Sequence, residues 1–308
     1  MAGIGWEAGL IMKNTLADMK VRCVLDARDE LGESIVWCAE ERALYRVDIL
    51  APAIHRLEPA TGAARAWPMP SAIGSLGLRE GGGAVVALKN GFHLFDFESA
   101  SLSFIVDPEP DRPDNRLNDG KVGPDGRFWA GSMDDRADKE PVAALYRLDA
   151  DGTCHKMVDG LVVSNGLAWS PDGGTLYHSD TRLCFIHAYD YDRVSGSLGQ
   201  RRLIAQMTDA VGRPDGAAVD VDGCYWSCGI SAGRINRFRP DGELDGWFEM
   251  PVPAPTMCCF AGPDLKTLYV TTKRVGLSTE VLAAYPQSGG VFSVDVGIEG
   301  VPVGKFKG

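Results

Sequence analysis

A hairpin that recurs along the chain limits its architecture before anything else is considered. Val163 to Thr181 reads V-S-N-G-L-A-W-S-P-D-G-G-T-L-Y-H-S-D-T. It has a polar start at Ser164, Asn165 and Gly166, a strand over Leu167 to Ser170, a tight Pro171-Asp172-Gly173-Gly174 turn and a second strand over Thr175 to His178. The plan returns where Asn118 to Val122 leads through Gly123-Pro124-Asp125-Gly126 into Arg127 to Gly131, and where Pro214 to Val219 leads through Asp220 to Gly223 into Cys224-Tyr225-Trp226. Weaker copies start at Gly32, Ser75 and Met257. Their turns lie near residues 40, 81, 125, 172, 222 and 264, about 41 to 50 residues apart, the period of a β-propeller blade. The chain is expected to be all-β: a six-bladed β-propeller with four antiparallel strands per blade.

Six copies of one unit in 308 residues favour a single closed ring over two domains. Val21 to Leu25 is the expected partner of Gly290 to Val296, so that one blade is completed from both ends of the chain and two free sheet edges disappear. Residues 1–20 are read as a leader outside the propeller and 21–308 as the propeller domain. Glu7 precedes the short apolar run Gly9 to Met12, with neither a basic stretch nor a small-residue cleavage site, so no secretion signal is read and a cytoplasmic location is expected. No window is long and apolar enough to cross a bilayer. A net charge of -11 repels phosphate backbones, which argues against nucleic acid as a partner. The eight cysteines fall mostly in apolar, strand-like runs and are read as free thiols.

Between the hairpins, Asp107 to Asn115, with three prolines and four acidic residues, reads as a crossing loop. Asp134 to Pro141 reads as a rim loop and Lys273 to Ser288 as a longer loop. None of the five histidines falls into a metal-binding or nucleophile-activating spacing, and all are read as structural or surface residues.

In a propeller the innermost strands converge on one axis, so residues at their beginnings meet although they are far apart in sequence. Glu33, Asn118, Asn165 and Asp215 all stand at that point in separate blades. Asn and Asp there are often simple turn or cap residues. However, carboxylates gathered in a dry tunnel with no counter-charge are costly, and a divalent cation would satisfy them. Glu33, Asn165 and Asp215 form an all-oxygen set suited to Ca²⁺, Mg²⁺ or Mn²⁺, and such a site can also take Zn²⁺ or Fe²⁺. By contrast Asp125-Gly126, Asp151-Gly152, Asp172-Gly173, Asp222-Gly223 and Asp241-Gly242 sit between strands and are read as turns.

These motifs, Arg116-x-Asn118-Asp119-Gly120-Lys121, Gly126 to Met133, Ser164 to Gly173 and Pro214-Asp215-Gly216, closely resemble the gluconolactonase and regucalcin family of six-bladed propellers. Gly262 to Tyr269, with Tyr285-Pro286 and Gly289 to Phe292, is similar to the bacterial pentonolactonases. The resemblance spans about residues 21 to 296. It implies one catalytic divalent metal on Glu33, Asn165 and Asp215, and substrate contacts from Arg116, Asn118 and an acid after Met133, either Asp134 or Asp135. The implied reaction is hydrolysis of a sugar-acid lactone such as a pentono-1,4-lactone to the aldonic acid, with Asp215 taking the proton of the attacking water. Two alternatives share the architecture: a phosphotriesterase-like hydrolase and a non-catalytic calcium-binding propeller. One departure stands out. The family's L-G-E-G-P-x-W is Leu31-Gly32-Glu33-Ser34-Ile35-Val36-Trp37 here, which replaces a flexible Gly and a rigid Pro beside the first ligand.

Overall fold

A computed structural model describes residue 14 and residues 16–308. The described residues form 24 strands and one short helix, and the strands make six four-stranded antiparallel sheets. Five sheets are built from consecutive strands. The sixth joins Pro255–Ala261, Thr267–Thr272 and Val291–Asp295, and is completed by Arg22–Leu25, with Cys23 opposite Phe292. This is the expected six-bladed propeller, closed by strands from the two ends.

The inner strands are Gly32–Cys38, Ile73–Leu78, Asn115–Val122, Ser164–Trp169, Pro214–Val219 and Pro255–Ala261, and each touches its counterparts on both sides to close a ring. They are buried on both faces apart from the half-buried Trp37, whereas outer strands such as Ala64–Pro68 and Ser197–Gln206 are largely exposed. Core clusters lie between blades rather than within them: Val36, Tyr45 and Trp67 of the first blade pack with Ile73, Val86 and Phe95 of the second. Trp129, Trp169 and Tyr191 form an edge-to-face trio with centroids 5.7 to 6.3 Å apart, an arrangement that adds about 0.5–1.5 kcal/mol per pair beyond burial.

The glycine in each of the five Asp-Gly turns has positive φ, between 69° and 91°, as a tight turn requires; Gly216 after Asp215 does not, which separates that pair from the turns. All eight cysteines are free thiols. The segment 273–288 differs from the expected loop: it carries a helix, Thr279–Ala284, whose first turn is capped by Ser278 Oγ accepting from Val281 N–H.

Beyond Val291–Asp295 the chain crosses the turn end of the ring. Val301 N–H donates to Val219 O (2.9 Å), Phe306 N–H to Leu78 O (2.8 Å) and Lys307 N–H to Gly126 O (3.1 Å), linking blades five, two and three. Of the segment read as a leader, residues 1–13 and 15 lie outside the described residues. Asn14 bonds both backbone groups of Trp247 on the outer strand of blade five, and Leu16 is buried beside Phe248.

Candidate metal centre

Every candidate ligand lies on an inner strand at the end opposite the hairpin turns, and the strand pairing is irregular at each of them. The register shifts between Glu33 and Val36, between Leu117 and Gly120, between Asn165 and Ala168, and between Pro214 and Ala217. Such a bulge leaves residues out of the ladder and re-aims their side chains. At the first bulge Ser34 takes φ of 49°, a left-handed conformation usually given to glycine. Its hydroxyl anchors it by accepting from Leu76 N–H at 2.9 Å. At the bulge after Asn165, a Cβ on Gly166 would stand 2.3 Å from Tyr225 Oη, so only glycine fits.

A hydrogen-bond chain crosses three blades. Asp135 Oδ1 accepts from Arg116 Nε (3.4 Å), and Arg116 Nη1 donates to Asn118 Oδ1 (2.8 Å). Asn118 Nδ2 donates to Asn165 Oδ1 (3.2 Å) and Asn165 Nδ2 to Thr181 Oγ1 (2.7 Å). Thr181 Oγ1 donates to Pro214 O (2.7 Å), the carbonyl that precedes Asp215. The structure therefore brings Arg116, Asn118, Asn165 and Asp135 into one bonded array that ends beside Asp215. Glu33 joins it through space: Asp215 and Asp119 raise its carboxyl, and Arg116 lowers it. Asp134 is turned away, bonded to Arg136 (2.8 Å), which holds its carboxyl below the usual carboxylate range, so Asp135 is the acid that reaches Arg116.

Burial pushes the Glu33 and Asp215 carboxyls well up, with Lys273 and Arg116 partly offsetting this at Asp215. Neither makes an ion pair among the described residues; Glu33 Oε2 accepts only from its neighbour Ser34 N–H at 3.1 Å. Two buried, mutually repelling carboxylates and an amide oxygen with a lone pair to spare are a donor set that fits a hard divalent cation. No cluster of three or more His, Cys, Asp or Glu side chains spaced for a metal occurs among the described residues, so the candidate set depends on the amide of Asn165.

One supporting residue escaped the sequence reading, and a histidine read as structural braces the same strand. Asp119 is buried with Oδ2 accepting from Leu167 N–H (3.1 Å) and Oδ1 unpartnered, close enough to raise both Glu33 and Asp215. Its neighbour Asn118 in the same bulge was the available signal. His178 Nε2 lies 2.8 Å from Ser164 Oγ, directly behind Asn165. Burial pushes the Asp119 carboxyl up, and Lys121, whose Nζ donates to Ala217 O below the centre, partly offsets this.

A family model described as SMP-30/gluconolactonase/LRE-like region matches residues 31–274. The chain is 40% identical over 289 residues to 6-deoxy-6-sulfogluconolactonase of Pseudomonas putida, covering 94% of this chain and 99% of that one. It is 34% identical over 299 residues to regucalcin of Xenopus laevis, covering 95% and 100%. Among solved structures it is similar to the calcium-binding protein regucalcin of Agrobacterium tumefaciens, with a TM-score of 0.86, 27% identity and coverage of 94% and 96%.

Proposed function

Because the chain belongs to the SMP-30/gluconolactonase/LRE-like family, we propose that it is a hydrolase that opens sugar-acid lactones to aldonic acids, with one divalent cation held by Glu33, Asn165 and Asp215. The observation that carries this reading is the hydrogen-bond chain from Asp135 through Arg116, Asn118, Asn165 and Thr181 to the carbonyl before Asp215. It ties substrate-orienting donors to the proposed ligands as one rigid unit.

Bound there, the cation would supply Lewis acidity, polarising the lactone carbonyl and acidifying a water. Asp215 accepts the proton of the attacking water. Its burial keeps the carboxylate basic, which suits a general base. Arg116 is almost fully enclosed and bonded to Asp135 and Asn118, so its guanidinium presents donors to sugar hydroxyls and to the carboxylate that forms on ring opening. Asn118 spends both amide atoms on Arg116 and Asn165, which fixes the spacing between substrate and metal. The test is a panel of aldonolactones, pentono-1,4-lactones included, scored by acid release. Chelator-treated protein should lose activity and regain it with Ca²⁺, Mg²⁺, Mn²⁺, Zn²⁺ or Fe²⁺. Turnover that survives complete metal removal rejects the metal role.

A second reading, a calcium-binding propeller without turnover, is favoured by the calcium-binding description of the Agrobacterium structure. Tight Ca²⁺ binding by calorimetry, with no lactone hydrolysed under any of these metals, would select it.

A further inference from the structure

We propose that the lactone taken by this site carries a second anionic group, a sulfonate, phosphate or carboxylate remote from the ring ester, and that Arg182 and Lys273 bind that group. This rests on the lactonase reading above. A cavity of about 880 Å³ lies at the rim beside the candidate centre, lined by Thr181, Arg182, Arg213 and Lys273 among others. Thr181 forms the shared wall, since its hydroxyl accepts from Asn165 and donates to Pro214 O.

Arg182 follows Thr181 on a braced turn. Its N–H donates to Asp180 Oδ1 at 2.8 Å, and that buried carboxylate also accepts from Val162, Val163 and Leu183. Lys273 follows the second strand of blade six, with its backbone bridged to Leu31 and its N–H bonded to Ala254 O. Both stems start from fixed backbone. Neither the Arg182 guanidinium nor the Lys273 ammonium makes an ion pair or side-chain hydrogen bond among the described residues, whereas Arg213 on the same wall is neutralised by Asp209 at 2.6 Å. Glu249, the other carboxylate on the wall, lies on the outermost strand of blade five, the strand farthest from the axis.

Two cations without an ion-pair contact among the described residues thus flank a centre built from carboxylates, Lys273 also offsetting Asp215 through space, in a chain of net charge -11. A neutral sugar lactone has no group that needs them. An anionic one does, because the acidic centre and the acidic surface would otherwise repel it, and local cations both offset that field and fix the far end of the substrate.

The experiment compares glucono-1,5-lactone with the same lactone bearing a C6 sulfonate, phosphate or carboxylate, using metal-loaded protein. At least one anionic lactone should have a KM about tenfold or more below the neutral one, and the preference should fade as salt rises. R182A and K273A should each raise the anionic KM about 10- to 100-fold. R182A should move the neutral KM less than about threefold, and R182K should recover part of the loss. The three arms identify which anion is meant. Anionic and neutral KM values within about threefold of each other, or variants that weaken both substrates equally, overturn the inference while leaving the lactonase intact. Should no lactone be hydrolysed at all, calorimetric titration of the C6-sulfonated aldonate decides: binding that is lost in R182A upholds the anion site, and binding that is absent or equal in both proteins overturns it.

Discussion

Asp215 and Ser34 stand beside the same axis, and each can be changed by one functional group. Asp215→Asn keeps shape and removes the proton acceptor together with one of three mutually repelling carboxylates. Lactone hydrolysis should fall about 10²- to 10⁴-fold, while the thermal midpoint stays level or rises because Glu33 and Asp119 lose a like charge. Steady-state kinetics with a melting scan checks both, and parallel loss of activity and stability would mark Asp215 as structural. Ser34→Gly relieves a left-handed backbone, worth about 1–2 kcal/mol, but forfeits the acceptor for the buried Leu76 N–H, worth about 1–3 kcal/mol. Ser34→Ala forfeits the bond and keeps the strain. Urea unfolding should therefore order wild type and Ser34→Gly close together with Ser34→Ala clearly below. The placement of Glu33, Asn165 and Asp215 near the starts of inner strands was legible in the sequence because each falls in phase with the repeat. Ser34 was legible as a departure, but not its hydroxyl bond, which reaches a residue 42 positions away.

Within blade four, the second strand, Thr175–Asp180, carries His178 behind the inner strand that presents Asn165. Burial pushes this imidazole from its ordinary 6.5 down to about 3, and His187 on the paired strand pushes the same way. The unfolded chain takes up a proton that the folded one refuses, so stability is flat above about pH 7 and falls as pH drops from 6.5 toward 3. At about 1.4 kcal/mol per pH unit, His178 alone should remove about 2–3 kcal/mol by pH 4.5. Denaturant titrations at pH 7 and 4.5 should show that loss shrinking in His178→Gln; His55 and His187, each pushed down to about 4, supply the slope that remains. Identical pH slopes in both proteins would clear His178. Strands and turns at this scale were readable because alternating apolar residues and Asp-Gly pairs are local signals. The outer strand Ser197–Gln206 is less legible, since its polar, exposed start carries no such alternation. The helix Thr279–Ala284 was missed because it buries no residue and so leaves no periodic face.

Two features hold the molecule together as a ring: the strand Arg22–Leu25 zipped onto Val291–Asp295, and the run from Gly300 to Lys307 across the turn end. The first was visible in the sequence because both segments read as strands in need of partners. The second was not, because its links are mostly backbone hydrogen bonds, which any sequence can make. Its most deeply buried side chain is Phe306, 1% exposed, packed with Val122, Phe128 and Leu148 of blade three while its backbone bonds Leu78 of blade two. Phe306→Ala removes that ring from a closed space and should cost about 3–5 kcal/mol. The inner strand of blade three separates this damage from the chemistry: Asn118 stands near its start, and Val122 with the turn at Gly126 stands at its end. The variant should therefore unfold at markedly lower urea yet retain kcat/KM per folded molecule within about twofold, measured below the onset of its transition. If kcat/KM collapses while the fold persists, the two ends of the propeller are mechanically coupled, and the inner strands transmit strain instead of insulating the candidate centre from it.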